Sequence, residues 1–295
     1  MNSYLTNKNI LILGADGLIG SAFPNNYDGV LIFKTFHKSK EIVLKEFGDL
    51  LESQCVFNFD PFDRKFLINI LISNEIKIVI NCIGITKHKS IDDYLSIKYN
   101  SVLPWYLDSI AAKYNLKIVN FSTDCVFTGK VGDYNENSFP DSIEIYGLSK
   151  KLGEVDSPNS LTLRTSFFGL ETYNKFGLIE WFLRQNGIIH GYSNAIYSGI
   201  LNTDLALDVL CILKNCSELT GLYHISSKPI SKYELLTKLK NLLSLDNIEI
   251  IQDTKYICDR SLNCGKIISV AGYQVRNWDD MLNKLASKIK ERYFV

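Results

Sequence analysis

Short apolar runs separated by helix-length segments constrain this chain more than any other feature. Ile10–Leu13, Val30–Phe33, Val56–Phe59, Ile76–Asn81 and Leu116–Phe121 all lie in the first half. A strand that is apolar along nearly its whole length has both faces covered, as in a parallel sheet flanked by helices. Pro104–Tyr114 is patterned as a helix between the last two runs. This rhythm predicts an α/β fold, a Rossmann-type doubly wound parallel sheet.

Beyond about residue 160 the rhythm weakens. Leu161–Thr165 reads as one more strand, and Leu178–Gln185, Leu205–Lys214, Lys232–Leu243 and Trp278–Arg292 read as helices. No low-complexity stretch or charge block separates the halves. The expected organisation is a nucleotide-binding domain over residues 1–160. A smaller C-terminal α/β substrate lobe over 161–295 follows, with some segments interwoven.

Composition removes several function classes. Lys+Arg and Asp+Glu both number 32, so no net field draws nucleic acid or an anionic membrane. No apolar run reaches the roughly 18–20 residues that cross a bilayer. Met1–Lys8 is polar and carries no secretory pattern. The seven cysteines form no CxxC pair, which reads as reduced thiols without a metal site. A cytoplasmic enzyme with neither nucleic-acid nor membrane partners is the expectation.

The first run is followed by Gly14-Ala15-Asp16-Gly17-Leu18-Ile19-Gly20, a GxxGxxG pattern. After a buried strand and before a helix, such a loop lets a pyrophosphate approach backbone N–H groups. Asp16, Leu18 and Ile19 count with the glycines as cofactor-binding candidates. Pro24 ends the expected helix after about two turns. The second strand is followed by Thr35-Phe36-His37-Lys38, with no Asp or Glu. An acid there would hold the ribose hydroxyls of NAD and repel a 2′-phosphate. Its absence, with His37 and Lys38 nearby, favours NADP, with NAD as the alternative.

Tyr146-Gly147-Leu148-Ser149-Lys150 is a YxxxK arrangement. On a helix, positions i and i+4 share a face, so the ammonium can lower the phenol pKa. The phenol can then protonate a carbonyl oxygen as hydride arrives. A solvated helix face has the same spacing. Upstream, the strand ending at Phe121 runs into Ser122-Thr123-Asp124-Cys125. Thr123 there either polarises a substrate carbonyl or caps the next turn.

From Phe121 to Glu154 the chain resembles the dTDP-4-dehydrorhamnose reductase family of extended short-chain dehydrogenases. The matching pieces are Ser122–Phe127, Gly132-Asp133-Tyr134-Asn135-Glu136, Pro140, and Tyr146–Lys150 with Gly153-Glu154. Weaker likeness extends to the glycine loop, Leu163-Arg164-Thr165-Ser166 and Asp259-Arg260-Ser261-Leu262-Asn263. The resemblance implies a catalytic set of Thr123, Tyr146 and Lys150. It implies cofactor contacts at Gly14, Gly17 and Gly20, Asp60 by the adenine, and Cys82, Gly84, Asn100 and Lys150 along the cofactor. It implies a nucleotide-linked 4-keto-6-deoxy sugar reduced at C4 in surface-glycan precursor synthesis. Cys125, Phe167, Tyr197 and Arg260 are then the substrate-binding candidates, and a homodimer is an assembly known in the family.

Position 125 departs from the pattern. Sugar-nucleotide 4,6-dehydratases carry Glu there and the rhamnose reductases usually Tyr; this chain has Cys125. Enzymes resembling GDP-fucose synthase use a Cys there with a His partner. None of His37, His88, His190 and His224 aligns with that partner. An epimerase or reducto-epimerase is the alternative activity, and a non-catalytic NADP-binding regulatory subunit the alternative of another class. The basic loop Lys87-His88-Lys89 reads as a solvated loop or a diphosphate contact.

Overall fold

The structure is a computed structural model that describes residues 8–47, 50–86, 92–173 and 175–293. The loop Lys87-His88-Lys89 lies outside the described residues. The strands are β1 (Asn9–Leu13), β2 (Asn26–Tyr27), β3 (Val30–Thr35), β4 (Cys55–Val56), β5 (Ile76–Asn81), β6 (Lys117–Thr123), β7 (Ser160–Thr165) and β8 (Phe167–Phe168). The chain continues with β9 (Gly187–Tyr192), β10 (Ala195–Tyr197), β11 (Ile200–Leu201), β12 (Gly221–His224), β13 (Ile230–Ser231), β14 (Ile248–Asp253) and β15 (Cys258–Asp259). The helices are α1 (Lys40–Glu46), α2 (Arg64–Ser73), α3 (Asp93–Ile97), α4 (Leu103–Tyr114) and α5 (Ile145–Leu152). They are followed by α6 (Leu178–Leu183), α7 (Asn202–Asn215), α8 (Lys232–Leu243), α9 (Gly265–Ala271) and α10 (Trp278–Tyr293).

The main sheet has the order β12-β7-β6-β5-β1-β3-β2, with β4 also on β3. All its pairings are parallel except β2 with β3. The period-2 geometry of a strand divides the apolar residues between two cores. Ile10 and Ile12 face one core with Leu205 and Val209 of α7 and Leu285 of α10. Leu11 and Leu13 face the other with Leu67 of α2 and Leu107 of α4. Burial on both sides explains the near-continuous apolar runs. From β1 the chain moves outward to β3 and β4, then returns past β1 to β5, β6 and β7. A crevice therefore opens beyond the C-terminal ends of β1 and β5, where the strand order reverses.

Two expectations are corrected. The glycine loop opens no α-helix, only a 3-10 turn at Gly20–Ala22. Pro24 cannot continue it, and Asn26–Tyr27 instead pairs antiparallel with β3. Asp28 and Gly29 join those strands with φ of 50° and 81°, the two-residue hairpin turn that Asp-Gly favours. Helix α7 packs against the 3-10 turn, sharing a core with Ile19 and Phe23. The run Val56–Phe59 forms only the two-residue strand β4. Asn58 takes φ of 52°, which breaks the extended run. No helix among the described residues is long and apolar enough to cross a membrane.

Candidate active site

The crevice holds two joined compartments that share Cys82, Ile83, Gly84 and Ile85. The larger, about 550 Å³, is lined by Gly14, Asp16, Gly17, Thr35, His37 and Lys38, with Phe59, Pro61, Tyr99 and Tyr173. The smaller, about 280 Å³, contains Leu18, Ile19, Asn100, Thr123, Cys125, Tyr146, Lys150 and Phe167. Gly20 lies beneath the loop, where a side chain would overlap the Gly14 carbonyl. Asp60 does not line the cleft; it is exposed and accepts a 3.0 Å hydrogen bond from Phe62 N.

The larger compartment suits a nucleotide. Its glycine loop leaves backbone open to the cleft, and His37 and Lys38 supply the polar edge. The buried Tyr173 hydroxyl has no hydrogen-bond partner among the described residues. Burial and neighbouring Asp16 push that phenol up to about 12. The Lys38 ammonium lies 4.5 Å from the centre of the Tyr173 ring. A ribose or phosphate oxygen would satisfy both donors.

The catalytic candidates are positioned by a helix held from behind. A π-helical turn, Lys98–Val102, interrupts the path from α3 to α4 and carries Asn100. Asn100 Nδ2 donates to Ile85 O at 2.9 Å and Ser149 Oγ at 3.1 Å, and its Oδ1 accepts from Ile85 N. Ser101 Oγ and Trp105 Nε1 donate to the carbonyls of Ser149 and Leu152, each at 2.7 Å. These bonds fix both the strand-loop after β5 and the last turn of α5. Tyr146 and Lys150, four residues apart on α5, consequently face the same cleft.

Thr123 ends β6 beside them. Its hydroxyl donates to Asp124 Oδ1 at 3.0 Å and accepts from Cys125 N at 3.1 Å. Burial pushes the Tyr146 phenol up, Cys125 adds to this, and a hydrogen bond with Thr123 opposes it. Burial lowers the Lys150 ammonium to about 8, against the pull of Glu154 and Cys82. The Cys125 thiol is pushed up to about 12 by burial and Asp124, with Arg260 opposing. It is thus protonated at neutral pH.

Residues distant in sequence bond to one wall of the cleft. Arg260 Nε donates to Phe127 O at 2.9 Å and Nη1 to Cys125 Sγ at 3.5 Å. Backbone bonds lace β15 and its successor to the loop after β6, through Asp259 N to Gly129 O and Tyr134 N to Ser261 O. Among the described histidines none lines the smaller compartment. His224 is buried and held near pKa 3 by burial and Arg164, with Nδ1 against Tyr134 O.

The family profile described as RmlD substrate binding domain matches residues 8–290. The chain belongs to this family. No curated protein matches the chain significantly. Solved structures share the fold. One is a dTDP-4-dehydrorhamnose reductase from Bacillus anthracis in complex with NADP, at TM-score 0.76 and 19% identity over 95% of this chain and 99% of that one. The Clostridium acetobutylicum dTDP-4-dehydrorhamnose reductase aligns at TM-score 0.76 and 19% identity, over 96% and 99%. A dTDP-glucose 4,6-dehydratase from Bacillus anthracis, in complex with NAD, aligns at 0.78 and 17%, over 96% and 97%.

Within this RmlD-family frame, several cleft residues carry no sequence signal. Tyr173, Tyr99 and Lys232 are lone residues outside any motif, and only folding brings them to the cleft and its side pocket. In the sequence Gly147 is only an x position of YxxxK. Its Cα faces the Cys125 carbonyl, and a Cβ there would overlap that oxygen and Ser142 Oγ. Gly147→Ala must therefore push α5 away from Thr123. The expected loss in turnover is about 10²-fold for a misplacement of about 1 Å. Steady-state kinetics alongside a circular-dichroism spectrum would check it, and full activity would show that α5 need not approach so closely.

Proposed function

We propose that this chain reduces the C4 ketone of a nucleotide-linked 4-keto-6-deoxy sugar with NADPH, NADH being the weaker donor. The observation that carries the reading is the convergence of Thr123, Tyr146 and Lys150 on one compartment joined to a nucleotide-sized one. Gly14, Asp16, Gly17, His37 and Lys38 would hold the cofactor, with Cys82, Gly84 and Asn100 along its path. What such a cofactor supplies is a hydride for the carbonyl carbon. Tyr146 gives its phenolic proton to the carbonyl oxygen, and Thr123 turns its hydroxyl towards the same oxygen. Lys150, in the same compartment, would keep positive charge near the developing phenolate, which favours proton release. Cys125, Phe167, Tyr197 and Arg260 would contact the sugar. Synthesis of a glycan precursor in the cytoplasm is the setting that fits this chemistry.

The test is NADPH oxidation by the purified chain against a panel of nucleotide-linked 4-keto sugars with different bases. No oxidation with any member would overturn the reading. Turnover in deuterated water separates reduction from epimerisation. Deuterium at a carbon next to C4 would replace simple reduction with a reducto-epimerase. The protonated Cys125 thiol and the absence of a described histidine beside it favour simple reduction.

Lys150 also sets an expected pH profile. A lysine with its pKa lowered to about 8 is charged below that pH and loses its charge as pH rises through it. The kcat/KM of NADPH oxidation should thus fall above about pH 8. Lys150→Arg should move that falling limb upward by more than one unit, because guanidinium stays charged. An unmoved limb would assign it to another group.

A further inference from the structure

The reaction outlined above leaves one half-buried cation unused. Lys232 is the first residue of α8. Its ammonium lies 3.2 Å from the centre of the Tyr197 ring. No ion pair or hydrogen bond engages it among the described residues. The charged groups around it are Asp124 and Arg260, with the thiols of Cys125 and Cys258. A cation in the first turn of a helix opposes the helix dipole. With the face of the Tyr197 ring against it, the ammonium is lowered to about 8 by desolvation.

Tyr197 provides a second, independent sign. It is only 5% exposed, yet its hydroxyl has no hydrogen-bond partner among the described residues. Buried polar atoms are nearly always satisfied, so an orphan hydroxyl in a pocket points to a missing partner. Lys232 and Tyr197 line one side pocket of about 100 Å³, whose other walls include Phe167, Phe168 and Ile179. The pocket meets the catalytic compartment through Leu18, Ser166 and Phe167.

Charge and donor counts define what fits. Two cations, Lys232 and Arg260, face one carboxyl, Asp124, whose pKa is itself raised by burial. Both unsatisfied groups can donate: an ammonium offers three N–H bonds and the phenol one O–H. A small, otherwise largely apolar pocket with excess positive charge selects an oxyanion. We propose that Lys232 and Tyr197 form an oxyanion-recognising subsite beside the catalytic groups, holding a phosphate or carboxylate of the substrate. That the oxyanion belongs to the reduced substrate rests on the reductase reading; the subsite itself does not.

The experiment is calorimetric titration of the NADPH-loaded full chain with pyrophosphate, UDP, dTDP, GDP, UDP-glucose and UDP-glucuronate. Lys232→Met should weaken binding at least about tenfold, as for loss of one partner of a buried charge pair. A loss shared by pyrophosphate and all the nucleotides identifies the diphosphate as the source. A loss confined to UDP-glucuronate identifies a sugar carboxylate. Lys232→Arg should recover part of the affinity, which a purely packing role would not predict. Tyr197→Phe removes only the hydroxyl and should weaken the same probes about fivefold. It decides the matter should Lys232→Met fail to fold. Unchanged binding in the folded variants, or no saturable anion binding by the wild type, overturns the subsite. Turnover of a 4-keto sugar with unaltered anion binding in the variants would sink the subsite and leave the reductase reading intact. Lys232-dependent anion binding without any turnover would do the reverse.

Discussion

Tyr146→Phe should lower NADPH oxidation by about 10²–10⁴-fold, the range that a positioned general acid contributes. The substitution deletes one oxygen and keeps the ring. Tyr146 lies on α5, whose last turn is held by Ser101 and Trp105 and whose Gly147 abuts Cys125. None of those contacts involves the phenol oxygen, so the helix should not move. Cofactor affinity, measured by quenching of tryptophan fluorescence, should stay within about threefold, because one neutral hydrogen bond is worth little net. That split between turnover and binding marks an acid. Turnover near the wild-type rate would remove Tyr146 from the mechanism. Undetectable turnover in the wild type, with NADPH still bound, would instead favour a regulatory cofactor-binding role.

Arg164→Leu should destabilise the fold by about 3–5 kcal/mol, the cost of stranding one half of a buried ion pair. Arg164 on β7 binds Glu154 through two parallel bonds, Nε to Oε1 and Nη2 to Oε2, both 2.7 Å. The two side chains are only 3% and 10% exposed. Ser122 Oγ adds a 2.6 Å bond to the same carboxylate, and Arg164 lies over the Phe127 ring. Leucine would leave Glu154 buried with Ser122 as its remaining donor among these contacts. Urea denaturation at neutral pH reads the loss directly. Arg164→Leu combined with Glu154→Gln should recover part of it, since no unpaired charge then remains buried. A loss below about 1 kcal/mol would place the pair with exposed salt bridges, which contribute little.

The pair also shows what a linear reading reaches. Gly153-Glu154 and Leu163-Arg164-Thr165-Ser166 were both visible as matching motifs, but nothing in either named the other as its partner. The same limit applied to Asn100. The resemblance implies a place along the cofactor, but not that its amide also ties Ile85 to Ser149. The glycine loop follows a buried strand, as expected, but opens a 3-10 turn in place of a helix. Pro24 stops the turn, and Asp28-Gly29 folds β2 back onto β3. Local turn chemistry prevails there over a crossover helix, and α7 packs against the 3-10 turn.

By itself the sequence determined the parallel sheet, because strands buried on both faces must be apolar along nearly their whole length. It also determined that Tyr146 and Lys150 share a helix face, because four residues make about one turn. Only the tertiary structure decided which distant groups meet them. Arg260 reaches Cys125 across 135 residues, and Lys232 reaches the Tyr197 ring from another element. Neither lysine nor arginine announces burial in a sequence, since most are solvated. Their charges become informative only when the fold sets them against particular partners.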